Sequence, residues 1–368
     1  MKLKLKSQKR LTITTKDKNT RAILIATYQH GAKAINSSLN ETTKLAQSLK
    51  IEPFLIIKYK LKTINKKFFV SEAIIEYIKS AINNNNCDLI IFNSDLSPAW
   101  QRNIEKELCC KVIDRTELIL DIFADRARSF EGKLQVELAQ LRHNSSRLVR
   151  VWTHLERQKG GIGLRGGPGE KQIETDRRII SKKIDNIEKK LAKVVKTRSQ
   201  NRYRRERNKV KTIALVGYTN AGKSTLFNRL TKKMVLAANM PFASLDTTIG
   251  KLYLGDDHNC VLIDTVGFIN ELPEDLLNAF KSSLEEVNKA DIIIHLIDIT
   301  DENFSYNRDC VNSTLDEILT HDIPRIEVYN KIDGVPKPTF SNCITISAEH
   351  NIGLDDLREY LKSKLFLV

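Results

Sequence analysis

The chain has 368 residues, longer than one hydrophobic core usually supports, so at roughly 150 residues per domain it divides into two or three. Lys and Arg number 60 against 45 Asp and Glu, and the resulting net charge of +15 points to a polyanionic partner, most simply nucleic acid. Its six cysteines form no Cys-x-x-Cys pair and have no His at zinc spacing, which argues against a disulfide framework or a zinc site and reads as reduced, mostly buried thiols.

The first 20 residues, beginning MKLKLKSQKRLTITTK, form a basic tail with no apolar segment after it. With DIIIHLIDI too short and too charged to cross a bilayer, a soluble, cytoplasmic, monomeric protein without a membrane span is expected. RAILIATY (21–28) predicts a strand, followed by a helix over 38–50 and a strand at PFLIIKY. EAIIEYIKSAI predicts a helix, DLIIF (88–92) a buried strand, PAWQRNIEKEL a helix and KVID (111–114) a strand. Alternating elements of this kind predict an α/β subdomain over residues 21–115, with INNNNCD as a plain loop.

From Thr116 the period becomes helical. Leu134, Leu138, Leu141, Leu148 and Trp152 share one seam, with Ser145 as its polar member, and Ile180, Ile184, Ile187, Leu191 and Val194 form a second. Two stripes of equal period predict an antiparallel helical hairpin within 116–210. Its tip, 160–169, holds six of the chain's 15 glycines beside Arg165, with Arg177 and Arg178 following. Glycines let a backbone approach RNA closely, and arginines neutralise phosphates or stack on bases, so Gly163, Arg165, Gly166, Gly167, Arg177 and Arg178 are candidate RNA-binding residues. KTRSQNRYRRERNKVK (196–211) reads either as a solvated basic linker or as part of that contact.

Residues 211–368 carry the chemistry. TIALVGYTNAGKSTLFNRL contains G-x-x-x-x-G-K-[ST] between an apolar run and a helical pattern, so Gly217, Tyr218, Thr219, Asn220, Ala221, Gly222, Lys223, Ser224 and Thr225 form a candidate phosphate loop. In such a loop the backbone N–H groups wrap a phosphate, Lys223 reaches the β and γ oxygens, and Ser224 ligates Mg²⁺. VLIDTVGF places Asp264 at a strand end, where it can hold Mg²⁺ through water, and Gly267 where its N–H can meet a γ-phosphate. IEVYNKID supplies Asn330, Lys331 and Asp333, whose carboxylate can accept two N–H groups from a guanine edge that adenine lacks. ITISAE adds Ser347, Ala348 and Glu349, with the Ala348 N–H available to the guanine carbonyl.

A loop threonine in MPFASLDTTIG would complete the Mg²⁺ ligands and close on a γ-phosphate; Thr248 is assigned, with Thr247 as the alternative. Phe268 stands where many switch GTPases carry a water-orienting glutamine, so hydrolysis that way is excluded and slow intrinsic turnover is expected. Asn220 either helps to hold K⁺ at the phosphates or stabilises the loop through its own side chain.

DRTELILDIFADRARSFEGKLQVELAQLRH, GGIGLRGGPGEKQIETDRR and DTVGFINELPEDLLNAFKSSLEE together resemble the HflX-type ribosome-associated GTPases, over roughly residues 21–355. The first two lie outside the phosphate-loop domain and separate this family from other translation GTPases. The resemblance implies GTP and GDP binding, GTP hydrolysis stimulated by the ribosome, binding to the large ribosomal subunit with the helical region near the peptidyl transferase centre, and dissociation of ribosomes under stress. It also implies ATP binding in the N-terminal part, but KFFVSEAIIEYI stands where members commonly carry a Gly-Lys-rich turn, so no residue is assigned to it. Other departures are Lys171 in place of a common Thr, and LDTTIG in place of LDPTTR, which changes the switch loop. Many members continue into a further C-terminal domain, whose contacts are expected to be absent from a chain stopping at Val368. The expected fold is therefore multidomain α/β: an N-terminal α/β subdomain, an antiparallel helical hairpin, and a P-loop GTPase domain with a mostly parallel sheet. The competing reading is an RNA-binding assembly module using GTP as a structural clamp with little turnover.

Overall fold

Runs of apolar residues without alternation belong to strands covered on both faces. Ala22 to Ala26 is such a run, fully buried, and it lies in the second strand position of a parallel sheet. The computed structural model describes residues 20–29, 32–152, 168–208, 210–231, 233, 240–243, 245–255, 259–270, 285–335 and 343–366. It divides into two compact units, one ending at Asp125 and one beginning at Arg126.

The first unit alternates β1 (Thr20–Tyr28), α1 (Ala32–Ser48), β2 (Ile51–Lys60), α2 (Glu72–Asn84), β3 (Leu89–Phe92), α3 (Pro98–Leu108), β4 (Lys111–Ile113) and α4 (Arg115–Arg126). Its four strands are parallel in the order β2-β1-β3-β4. Local signals set the helix ends: Ser97 Oγ accepts from Trp100 N at 3.3 Å, Pro98 opens α3, and Cys109 ends it in a left-handed turn at φ 49°. Asp114 caps α4, accepting from Glu117 N at 2.8 Å and from Leu96 N at 3.2 Å. Leu118, Ile119, Ile122 and Phe123 of α4 are buried, and Arg115 pairs with Glu41 at 3.2 Å, which explains why this unit reaches Asp125.

The second unit opens with the long helices α5 (Phe130–Trp152) and α6 (Pro168–Arg207). Leu134, Leu138 and Ile187 are buried in one cluster with Leu141, Ile184 and Leu191 against it, so the two apolar seams meet. Arg142 pairs with Glu188 at 2.8 Å and Glu131 with Arg198 at 2.8 Å, which makes the helices antiparallel. Leu148, Trp152 and the glycine-rich tip at Gly163, Arg165, Gly166 and Gly167 lie outside the described side chains.

Six strands follow in the order β10-β9-β8-β5-β7-β6: β5 (Lys211–Gly217), β6 (Thr248–Tyr253), β7 (Asn259–Asp264), β8 (Ile292–Asp298), β9 (Arg325–Asn330) and β10 (Ile344–Ile346). Among the described strands of this sheet, only β6 runs antiparallel, against β7. Helices α7 (Lys223–Leu230), α8 (Phe304–Ile318) and α9 (Leu354–Phe366) accompany the sheet. One core cluster packs Leu226, Phe227 and Leu357 on Leu215, Ile294 and Val328, and another packs Val311, Leu315 and Phe268 on Val216 and Ile293. The strand order places β5 in the interior, so its C-terminal loop opens where ligands bind in such sheets.

The cysteines correct the expectation of mostly buried thiols. Cys110 and Cys260 are buried, Cys87 and Cys310 half-buried, and Cys109 and Cys343 exposed; none forms a disulfide. Among the described residues, no helix is long and apolar enough to cross a membrane.

Candidate nucleotide-binding site

At the C-terminal end of β5 the chain enters a loop held on both sides. Thr219 N donates to Phe268 O at 2.7 Å, Phe268 N to Gly217 O at 3.1 Å, and Asn270 N to the Tyr218 hydroxyl at 3.1 Å. Asn220 adopts a left-handed conformation at φ 64°, which its short polar side chain tolerates, and Gly222 follows at φ 94°. A Cβ on Gly222 would run into Asn330 Nδ2, so the tight approach of these two segments demands glycine. Lys223 then begins α7.

The Lys223 ammonium is folded back over the loop, donating to Gly217 O at 3.0 Å and Tyr218 O at 2.8 Å. Burial pushes its pKa down to about 8, with Asp264 partly opposing the shift. Ser224 Oγ donates to Asp264 Oδ2 at 2.9 Å, and Asp264 is 1 % exposed. Gly267 approaches closely from the neighbouring strand end: a Cβ there would stand 3.0 Å from Thr219 Cα and 3.1 Å from Lys223 Nζ. Phe268 turns into the core beside Val216 and Val287.

Asn330 joins three segments, its Nδ2 donating to Ala221 O at 2.8 Å and its Oδ1 accepting from Ala348 N at 3.0 Å. Lys331 has φ 67° and pairs with Asp298 at 2.6 Å. A hydrogen bond from Ser347 holds the Asp333 carboxyl below the usual carboxylate range, with His350 3.6 Å away. The two motifs read as guanine-selecting thus share one surface at the ends of β9 and β10.

A cavity of about 610 Å³ is lined by Thr219, Asn220, Gly222, Lys223, Ser224, Thr225, Gly267, Lys331 and Glu349, as well as four residues that sequence reasoning missed, Arg229, Met240, Phe242 and Ala243. Arg229 donates to Glu349 O at 2.9 Å and so bridges α7 to the segment after β10. An Arg two turns into a phosphate-loop helix carries no sequence signal; the apolar triplet Pro-Phe-Ala inside a polar loop could have been noticed. Thr247 and Thr248 do not line the cavity. Thr248 opens β6 opposite Asp264 in the register, while Thr247 Oγ1 accepts from Arg198 at 3.0 Å. Arg177 and Arg178 are exposed on α6, and Arg178 pairs with Glu174 at 2.6 Å.

Family models match in series along the chain: GTP-binding GTPase N-terminal over residues 36–124, GTP-binding GTPase Middle Region over 126–205, and 50S ribosome-binding GTPase over 212–331. GTPase HflX of Escherichia coli strain K12 is 46 % identical over 358 residues, covering 95 % of this chain and 84 % of the relative. The chain belongs to the HflX family of GTPases. GTPase HflX of Caldanaerobacter subterraneus is 45 % identical over 348 residues, covering 94 % of this chain and 81 % of that one. The crystal structure of SsGBP with GDP shares the fold, with a TM-score of 0.52, 24 % identity, and coverage of 94 % of this chain and 98 % of that chain. The resemblance read from the motifs is thereby borne out, as is the α/β fold with a P-loop GTPase domain. As an HflX-family member the chain is a GTP-binding GTPase.

Proposed function

We propose that this HflX-family GTPase binds the large ribosomal subunit, hydrolyses GTP faster when bound, and uses the nucleotide cycle to remodel or dissociate ribosomes. The match of residues 212–331 to the 50S ribosome-binding GTPases carries this reading. The net charge of +15 and the Lys- and Arg-rich exposed surface of α6 support an RNA partner.

Phosphates lie along the loop from Gly217 to Thr225, with Lys223 turning from the Gly217 and Tyr218 carbonyls to the β and γ oxygens. That exchange is favourable because a buried ammonium gains a polyanion in place of two neutral carbonyls. Asp333 reads the guanine edge together with the Ala348 N–H, which must turn from Asn330 Oδ1 to the guanine carbonyl, and Asn330, Lys331, Ser347 and Glu349 shape the pocket. The buried Ser224 hydroxyl against the Asp264 carboxylate is a hard-oxygen pair suited to Mg²⁺, with Thr248 supplying a further oxygen once the loop closes. Bound there, the ion would neutralise charge on the β and γ oxygens. Gly267 offers its N–H to the γ-phosphate. Asn220 would orient K⁺ beside the same oxygens. Since Phe268 is buried in the core, no side chain at that position can orient the attacking water. Slow intrinsic turnover with activation by the partner follows. Gly163, Arg165, Gly166 and Gly167, with Arg177 and Arg178, are the proposed RNA contacts.

The test is steady-state GTP hydrolysis with and without purified large subunits in potassium buffer with Mg²⁺. Strong stimulation is expected; binding without stimulation would favour a structural clamp, and no binding would overturn the proposal. Changing Arg165, Arg177 and Arg178 to Glu should weaken large-subunit binding and flatten its salt dependence while sparing free GTP affinity.

A further inference from the structure

Asp246 and Thr247 immediately precede Thr248, and both are held by the base of the helical hairpin rather than by the nucleotide cavity. Asp246 Oδ2 accepts from the backbone N–H groups of Arg128 at 3.0 Å and Ser129 at 2.8 Å, and the Ser129 hydroxyl donates to Oδ1. Ser129 Oγ in turn accepts from Gly132 N at 2.8 Å. A carboxylate of the phosphate-loop domain therefore holds the two residues that lead into α5, including its N-cap Ser129, at a helix N-terminus where the dipole favours negative charge. The approach is so close that a Cβ on Gly132 would run into Asp246 Oδ1. The second strap comes from α6: Arg198 donates to Thr247 Oγ1 at 3.0 Å and pairs with Glu131 of α5 at 2.8 Å. Both helices of the hairpin thus grip the two residues before the switch threonine.

We propose that these contacts form a latch that opposes closure of the switch segment on a triphosphate, with Asp246 and Arg198 as positioning residues for Thr248. The inference rests on the reading of Thr248 as the switch threonine. In the latched arrangement Thr248 does not line the cavity, and drawing it in must pull its two neighbours off the hairpin. GDP makes no such demand, so the latch lowers triphosphate affinity selectively. By linkage, a partner that draws the base of the hairpin away from this loop raises affinity for GTP, and GTP raises affinity for that partner by the same factor.

The experiment measures, on the full chain in Mg²⁺ buffer, calorimetric affinities for GDP and for a β,γ-imido analogue of GTP. Asp246→Ala should shift the affinity ratio toward the analogue by about tenfold, as expected for loss of charge-assisted hydrogen bonds, and leave GDP affinity within about twofold. Gly132→Ala should move it in the same direction by displacing the carboxylate, although alanine itself favours the helix. A merely structural role for Gly132 would leave the ratio unmoved. Arg198→Gln should give a smaller shift of about threefold, partly reversed in Arg198→Lys. An unchanged ratio in both Asp246→Ala and Gly132→Ala, or a shift toward GDP, overturns the latch. Thr248→Ala tests the underlying reading separately and should weaken the analogue alone. If it does not, while the latch variants still shift the ratio, the restraint on this segment is real but the reading of Thr248, and with it the positioning of that residue, is overturned.

Discussion

The chain builds a doubly wound sheet twice, and the two differ in what lies at the ends of their strands. In the first unit the C-terminal ends of β1 and β3 carry polar groups that satisfy one another. Asn93 Oδ1 accepts from Thr27 N at 2.8 Å, and Asn93 Nδ2 donates to Ser38 Oγ at 3.2 Å. In the second unit the corresponding region opens into a cavity, lined in part by Gly222 and Gly267, which let the loop, Asn330 and Lys223 approach closely around it. The same architecture therefore closes over itself in one place and leaves room for phosphates in the other. Function resides in those few loop residues rather than in the sheet.

Removing the charge that the second sheet keeps buried should perturb that site most. Lys223→Met should reduce GTP affinity by at least about 100-fold, since the phosphates lose a buried charge-assisted partner. The same change should raise the melting temperature of the nucleotide-free protein. An ammonium with its pKa pushed from 10.5 to about 8 is held at a cost of about 3 kcal/mol at neutral pH, which Met does not incur. Nucleotide titration and calorimetric melting check both halves. Near-wild-type GTP affinity would remove Lys223 from the site.

Asp333→Asn should have the next largest effect, weakening GTP by about 30-fold and leaving the weak binding of ATP as it was. The loss follows from replacing one charged acceptor with an amide that offers an N–H to the guanine N–H groups. Competition between GTP and ATP for the purified chain measures it. An unaltered preference would show that Ala348 and its neighbours select the base without Asp333.

β1, β3 and β5 were legible because they are uninterrupted apolar runs, whereas β6, with Gly250 and Lys251 inside it, was not. The hairpin was legible because Leu134 and Leu138 share a period with Ile184 and Ile187. Motif spacing gave the phosphate loop, Asp264 and the Asn330 to Asp333 segment, since those contacts are made by residues close in sequence to a strand end. The missed residues reach the site across long separations. Arg229 touches the segment after β10 by donating to Glu349 O, and Asp246 meets Ser129 more than 100 positions away. Neither pattern has a period or a spacing to read. The dual claim of Thr247 and Thr248 on one role was likewise unreadable, because what distinguishes them is Arg198, a residue on a helix in another part of the chain.

The smallest effect separates the two units by pH. His295 lies on β8, 2 % exposed, with Glu327, Asn312, Lys223 and Arg308 around it; burial pushes its pKa down to about 4. The unfolded chain, with an ordinary value near 6.5, then binds the proton that the folded one refuses, so the stability of this unit is full above pH 6.5 and falls as the pH drops toward 4. Between pH 7 and pH 5 that residue alone removes about 2 kcal/mol. Asp121 on α4 behaves in the opposite sense. Burial, reinforced by Glu117, raises its pKa to about 6, so the folded first unit holds a proton that the unfolded chain releases. Its contribution is present at low pH and lost as the pH rises through 6. Hydrogen exchange at pH 7 and pH 5, corrected for intrinsic rates, should therefore show protection falling in peptides from β8 and rising in peptides from α4. Parallel changes in both would mean that the two sheets unfold as one unit and that neither group titrates against its own core.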